Sequence, residues 1–146
     1  MIKHESSVEI TKPVGDVFAF VDNLSQAPRW LEGCVEVRQL SPGPKAVGTQ
    51  LHYVHRKGGR RGEMDGAVTA YDKNRRLGMR YADAMFDVAV EFRFTPTSTG
   101  TVVAHTCAIT PKRLLGRLMS PLIGVANRKQ VAHNVARLKG VLEGRS

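Results

Sequence analysis

The sequence predicts an α+β fold: a seven-stranded, curved antiparallel sheet wrapped around a long C-terminal helix, with two short helices between strands one and two. Three observations predict it. Residues 35–110 read mostly as strands divided by turn residues, residues 111–146 read as helix, and two short helical segments follow the first strand directly. A helix laid along a curved sheet encloses a space, and that space is the expected site of function.

Ser6 to Thr11 alternates and predicts the first strand, which Lys12-Pro13 ends. Val14, Val17, Phe18 and Val21 fall at helical spacing, and Asp22-Asn23 breaks that helix. Leu24 to Leu31 predicts a second short helix with Pro28 in its first turns. Strands are then predicted over Val35 to Leu40, Thr49 to Arg56 and Glu63 to Tyr71, with Lys57 to Gly62 as a glycine-rich hairpin tip. Arg76 to Tyr81 is a shorter strand. Phe86 to Thr95 alternates most clearly, with Phe86, Val88, Val90, Phe92 and Phe94 on one face, as in a half-buried antiparallel strand. Ser98-Thr99-Gly100 turns the chain into a last strand, Thr101 to Thr110.

In the tail, Ser120-Pro121 has the pattern of an N-cap followed by proline at the first helical position. It predicts a short helix over Lys112 to Met119 and a main helix from Pro121 to about Glu143. That main helix spans ~35 Å, close to the ~33 Å of a ten-residue strand. Val131, Val135, Leu138 and Leu142 share one stripe and predict packing. Gly124, Asn127 and Arg128, nearer the helix start, are expected to face open space under the first half of the helix.

The chain has 146 residues, 42% of them apolar and 24% charged. That suffices for one domain, 1–146, with a packed core. No apolar run reaches the ~20 residues of a membrane helix. MIKHESSVEI lacks the charged-then-apolar order of a secretory signal, so a cytoplasmic location is expected. Cys34 and Cys107 lie far apart and read as free thiols. Lys and Arg total 22 against 13 Asp and Glu, a formal charge of +9. Such an excess favours an anionic surface, lipid or RNA, and equally serves solubility. No glycine-rich phosphate loop is present, and no cofactor is expected. His52-x-x-His55 is not read as a metal pair, because strand positions three apart point to opposite faces.

Inward strand phases bring Leu51, Tyr53 and His55 to one surface, with Met64, Val68, Leu77, Met79, Tyr81, Val103, His105, Cys107 and Ile109. This is an apolar lining with Tyr53, His55, Tyr81 and His105 as polar points, suited to an amphipathic organic ligand. His55 and His105 read either as an acid/base pair or as hydrogen-bonded core histidines. Asp83 and Asp87 could orient one of them or face water. Tyr53 and Tyr81 read either as ligand anchors or as buried tyrosines with a polar tip. Lys57 to Gly62, Arg75-Arg76 and Lys112-Arg113 form positive surface. Leu114, Leu115, Leu118 and Met119 are apolar enough for a flap over the cavity mouth, hinged at Ser120-Pro121, unless that dipeptide is a plain helix boundary.

Local sequence adds a resemblance. VEITKPVGDVFAFVDNLSQAPRWLEGCVEV, VGTQLHYVHRKGGRRGEMDGAVTAYDKNRRLGMRY and Gly100-Thr101-x-Val103 resemble the opening, central hairpin and last strand of the START-like (SRPBCC) superfamily, whose fold is the helix grip. The nearest branch is the polyketide cyclase/dehydrase-like one. The resemblance implies a deep cavity for lipids, sterols, polyketides, quinones or hormones, with catalysis in some members. It carries over no catalytic residue, and it suggests Trp30, at the family's proline-x-tryptophan position, as a lining residue.

The sequence thus leads to binding or carrying of a small hydrophobic or amphipathic molecule. The expected ligand-binding residues are Trp30, Leu51, Tyr53, His55, Met64, Val68, Met79, Tyr81, Phe86, Val88, Val90, Phe92, Val103, His105, Cys107, Leu118, Asn127 and Val131. The alternative is a cyclase/dehydratase-type enzyme in which His55, His105 and Tyr53 move protons. A third reading is a module that docks on RNA or a ribosome through basic residues. A homodimer is compatible with each.

Overall fold

The alternating segments pair into one seven-stranded sheet of order β1-β7-β6-β5-β4-β3-β2, antiparallel throughout. The computed structural model describes residues 1–144. Its strands are β1 (Ile2–Ile10), β2 (Cys34–Gln39), β3 (Gln50–Lys57), β4 (Arg60–Asp72), β5 (Arg76–Ala82), β6 (Phe86–Pro96) and β7 (Thr101–Pro111). Helix α1 (Val14–Asp22) and a 3₁₀ turn (Leu24–Arg29) join β1 to β2, and α2 (Leu114–Leu118) and α3 (Ser120–Leu142) end the chain.

Several strands run further than predicted, most of all β1 and the arms of the β3–β4 hairpin. β1 begins at Ile2 because β7 offers a partner along its whole length, from Ile2 opposite Ile109 to Ile10 opposite Thr101. The β3–β4 hairpin closes with only Gly58-Gly59 as its turn, since Lys57 and Arg60 already pair. Both glycines have positive φ, 56° and 81°. That conformation matches the twist of the flanking strands and suits glycine. The basic residues are therefore strand residues at a sheet end, not an extended loop.

α1 buries Val17, Phe18 and Val21. Phe18 sets its edge against Tyr71 and Phe94, with centroids 5.8 and 5.1 Å apart. Asn23 ends the helix and caps the 3₁₀ turn by accepting from Ser25 N. Trp30 then packs edge-on against Phe92. These residues, with Ile10, Leu51, Val68, Leu77, Val103 and Leu138, form the core.

Ser120 does not cap α3. Its side chain makes no capping bond to the helix start and instead donates to the Gly116 carbonyl at 3.4 Å, while Met119 N bonds Leu115 O and Ile123 N bonds Met119 O. Helical bonding thus continues across the junction, and Pro121, lacking an N–H, stands in the first turn of α3, where that N–H is not needed. α3 is 23 residues long and lies along β1 and β7. A Cβ on Gly124 would sit 3.7 Å from Ile2 and 3.9 Å from His4, so this glycine packs against β1. Gly124 does not face open space, and Arg128 points to solvent.

Candidate functional site

A cavity of about 580 Å³ lies between the inner sheet face and the first half of α3. Its sheet wall comprises Tyr53 and His55 of β3, Met64 of β4, Met79 and Tyr81 of β5, Phe86, Val88, Val90 and Phe92 of β6, and His105, Cys107 and Ile109 of β7. The helix contributes Ile123, Ala126, Asn127, Gln130, Val131 and Asn134, which share one face at helical spacing. Leu31 adds to the wall beside the short helices. Lys57, Arg60 and Arg61 from the hairpin end, with Asp83 and Met85 from the β5–β6 turn, form the mouth.

Glycine makes room on β4. Gly62 lies opposite His55, and a Cβ there would fall 2.5 Å from the imidazole Cε1. Gly66 lies against β5, where a Cβ would fall 2.5 Å from the Tyr81 ring. Both positions let an aromatic side chain fold across the strand. Tyr53 stacks on His55 at 5.6 Å and meets Tyr81 at 5.1 Å, which gives this wall an aromatic lining. Burial raises the pKa of both tyrosines well above the ordinary phenol range. It also lifts the Cys34 and Cys107 thiols to about 11, so neither is a ready thiolate.

The deep wall is organised by two asparagines on α3. Asn134 Oδ1 accepts the Glu32 backbone N–H at 2.9 Å, and this turns Nδ2 toward His105 Nε2, 3.3 Å away. The imidazole therefore accepts at Nε2 and, when neutral, carries its proton on Nδ1. It is neutral at pH 7, because burial drives its pKa down to about 4 against a smaller opposing influence of the Glu91 backbone. His105 also stacks on Phe92 at 4.4 Å. Asn127 Nδ2 donates to Cys107 O at 3.0 Å and lies 3.2 Å from His4 Nδ1. Three cavity-lining residues hold a buried atom that makes no full hydrogen bond among the described residues: Asn127 Oδ1, His55 Nδ1 and His105 Nδ1, the His105 ring being close enough to the Glu91 backbone to feel it.

Most sequence-predicted lining residues meet here: Tyr53, His55, Met64, Met79, Tyr81, Phe86, Val88, Val90, Phe92, His105, Cys107, Asn127 and Val131. Five lie elsewhere. Trp30, Leu51, Val68 and Val103 fill the core at the other end, where α1 and the 3₁₀ turn press on the sheet. Leu118 points to solvent, as do Leu114, Leu115 and part of Met119, so these residues form no closed flap. Asn134 is the main residue that sequence reasoning missed. Its signal was present, since it lies one heptad after Asn127 on the stripe that carries Val131, Val135 and Leu138.

The two histidines are not brought together as a pair. β4, β5 and β6 separate their strands, and neither ring bonds a carboxylate. Asp83 accepts the Met85 and Phe86 N–H groups, and Asp87 pairs with Lys112. His52 points outward, as predicted, and bonds Asp65 and Glu63. Among the described residues no cluster of metal-ligating side chains occurs, and no helix is long and apolar enough to cross a membrane.

Sheet order, short helices after β1 and a C-terminal helix over an apolar cavity define a helix-grip protein. The family described as polyketide cyclase / dehydrase and lipid transport matches residues 1–143, and the chain belongs to that family. Its fold is similar to that of a Thermus thermophilus protein (TM-score 0.80, 16% identity, 99% of each chain covered). A START superfamily protein from Mycobacterium smegmatis is also similar (TM-score 0.78, 17% identity, 100% of each chain). So is the di-domain ARO/CYC StfQ from the steffimycin biosynthetic pathway (TM-score 0.79, 13% identity), where 99% of this chain covers 51% of that one. No curated protein matches the chain in sequence.

Proposed function

We propose that this protein binds and carries a small amphipathic molecule. Its apolar body lies against Met64, Met79, Val88, Val90 and Ile109, and a polar group reaches the deep wall. The observation that carries this reading is a cavity with largely apolar walls in which three lining residues hold a buried atom without a hydrogen-bond partner: His55 Nδ1, His105 Nδ1 and Asn127 Oδ1. An unsatisfied buried polar group costs about 1–3 kcal/mol. A hydroxyl, carboxylic acid or amide on the ligand both donates and accepts, and so can partner either kind of group. The cationic mouth offers further polar contacts nearer the surface.

The same geometry favours carriage over turnover. A histidine with a pKa of about 4 is a weak base at pH 7. His55 is also held below its ordinary value, first by burial and then by Lys57, and no carboxylate bonds it.

Native mass spectrometry of gently purified protein, followed by organic extraction, tests the reading. The expected result is one bound molecule with an apolar skeleton and at least one hydroxyl, carbonyl or carboxyl group. Val90→Phe, which places a ring in the cavity, should reduce uptake of an anionic naphthalene fluorophore at least tenfold. Absence of both a co-purified molecule and fluorophore uptake in the wild type refutes the proposal.

A further inference from the structure

The outer surface beside the cavity mouth inverts the usual pattern of an amphipathic helix. From Leu114 to Val125 the apolar residues Leu114, Leu115, Leu118, Met119, Leu122 and Val125 recur at helical spacing. In a self-contained domain such a stripe faces the core. Here it faces water, with these six side chains 43–71% exposed. The face turned to the protein is instead formed by Gly116, against Pro111 and Phe86, with Ile123 and Asn127. Met85, 41% exposed, extends the apolar surface from the neighbouring turn and is also a cavity-lining residue. The patch is therefore continuous with the mouth.

Charge identifies the occupant. No Asp or Glu occurs between Lys112 and Leu142, whereas Arg113, Arg117, Arg128 and Lys129 do. At ideal helical spacing Arg117 and Arg128 border the leucine stripe on one side. Lys57, Arg60 and Arg61 stand at the mouth, and among the described residues none of these cations pairs with a carboxylate. The nearby acids are engaged: Asp83 in its turn and Asp87 with Lys112. Exposed leucines bordered by uncompensated cations suit a surface that is apolar within and anionic at its face. A second copy fits poorly, because two-fold pairing sets the patch against itself and opposes cation to cation.

We infer that α2 and the first turn of α3 dock this protein on an anionic lipid bilayer, leucines among the acyl chains and arginines at the headgroups, with the cavity mouth facing the membrane. The docking explains how a poorly soluble molecule reaches the cavity without crossing water. It rests on the carrier reading for that purpose only.

Vesicle co-sedimentation, with phosphatidylcholine alone and mixed with phosphatidylglycerol, tests the inference. Wild-type protein should partition onto the anionic vesicles and be released by high salt. Replacing Leu115, Leu118 and Leu122 together by Gln should abolish partitioning. Arg113→Gln with Arg117→Gln should weaken it about 30-fold, at about 1 kcal/mol per cation. All five side chains are exposed, so thermal unfolding should stay unchanged and certify the fold. Wild-type protein that ignores anionic vesicles, or binds them equally after the leucine replacements, overturns the inference. So does a dimer in sedimentation velocity that the same replacements dissolve, or RNA binding in place of vesicle binding. Vesicle partition is read without any ligand. Docking by protein that takes up no fluorophore therefore removes only the cavity reading, and uptake without docking removes only this inference.

Discussion

The two ends of the space under α3 are built by the same strands and the same helix, yet one is filled and the other hollow. At the closed end Ile10, Val17, Phe18, Leu51, Leu77, Phe94, Val103 and Leu138 interlock with almost no exposure. At the open end Met79, Val88, Val90 and Ile109 face Ile123, Ala126 and Gln130 across a cavity. The difference comes from what covers the sheet. α1 and the 3₁₀ turn occupy only the closed end, where Phe18 and Trp30 insert toward β6. Elsewhere α3 is the inner cover, and it turns Ala126, Asn127, Gln130 and Asn134 inward beside Ile123 and Val131. Glycines at 62 and 66 let the His55 and Tyr81 rings fold over β4 on the same side. A single helix across a sheet this wide leaves a void unless large side chains fill it. Asn134 and His105 stand between the two regimes.

Stability measurements can break this contrast. The largest effect is expected from Leu138→Ala at the closed end, a loss of about 2–5 kcal/mol in denaturant unfolding, because the site has no room to collapse. An effect below ~1 kcal/mol would mean that the closed end is as loosely filled as the cavity.

The boundary should respond to acid. His105 has its pKa lowered from 6.5 to about 4 in the folded state, so it contributes stability above pH 6.5 that is lost as the pH falls toward 4. The full change is about 3 kcal/mol. His105→Gln should flatten the melting temperature over that interval. His52 works in the opposite sense: Glu63 and Asp65 raise its pKa, so its contribution is present below the ordinary histidine value and lost as the pH rises. Because its carboxylate partners are exposed and screened by solvent, the acid-side loss from His105 should dominate.

Asn134→Ala should cost about 1–3 kcal/mol by stranding the Glu32 N–H and His105 Nε2. It should also free the histidine ring, visible as a changed imidazole signal in NMR. The smallest effect is expected from Val90→Ala, below ~1 kcal/mol, because its side chain already borders empty space. A cost comparable to Leu138→Ala would show that the hollow end is tightly packed in solution.

Much of this was legible in the chain. Phe86 to Phe94 alternates so regularly that its inner face could be read directly, and the phases of Leu51-Tyr53-His55 and Val103-His105-Cys107 followed in the same way. Leu51, Val68 and Val103 were expected at the cavity, since phase assigns a face but not a position along the strand's neighbours, and Trp30 was expected there from the family resemblance alone. Gly124 was read as space because a glycine looks the same whether it makes room for a ligand or for a strand. Ser120-Pro121 was read as a cap, whereas the preceding turn was already helical and supplied the Gly116 carbonyl to the serine.

What the sequence determined by itself is local: the strand alternation, the two helices after β1, and the length of α3 matched to that of the strands. These depend on residue spacing and turn chemistry, which act within a few positions. Only the tertiary structure decided that β1 pairs with β7, that α1 plugs one end alone, that Asn134 holds His105, and that the leucines of α2 face outward. Each of those depends on which surfaces remain uncovered after the sheet has curved, a property of the assembled layers rather than of any one segment.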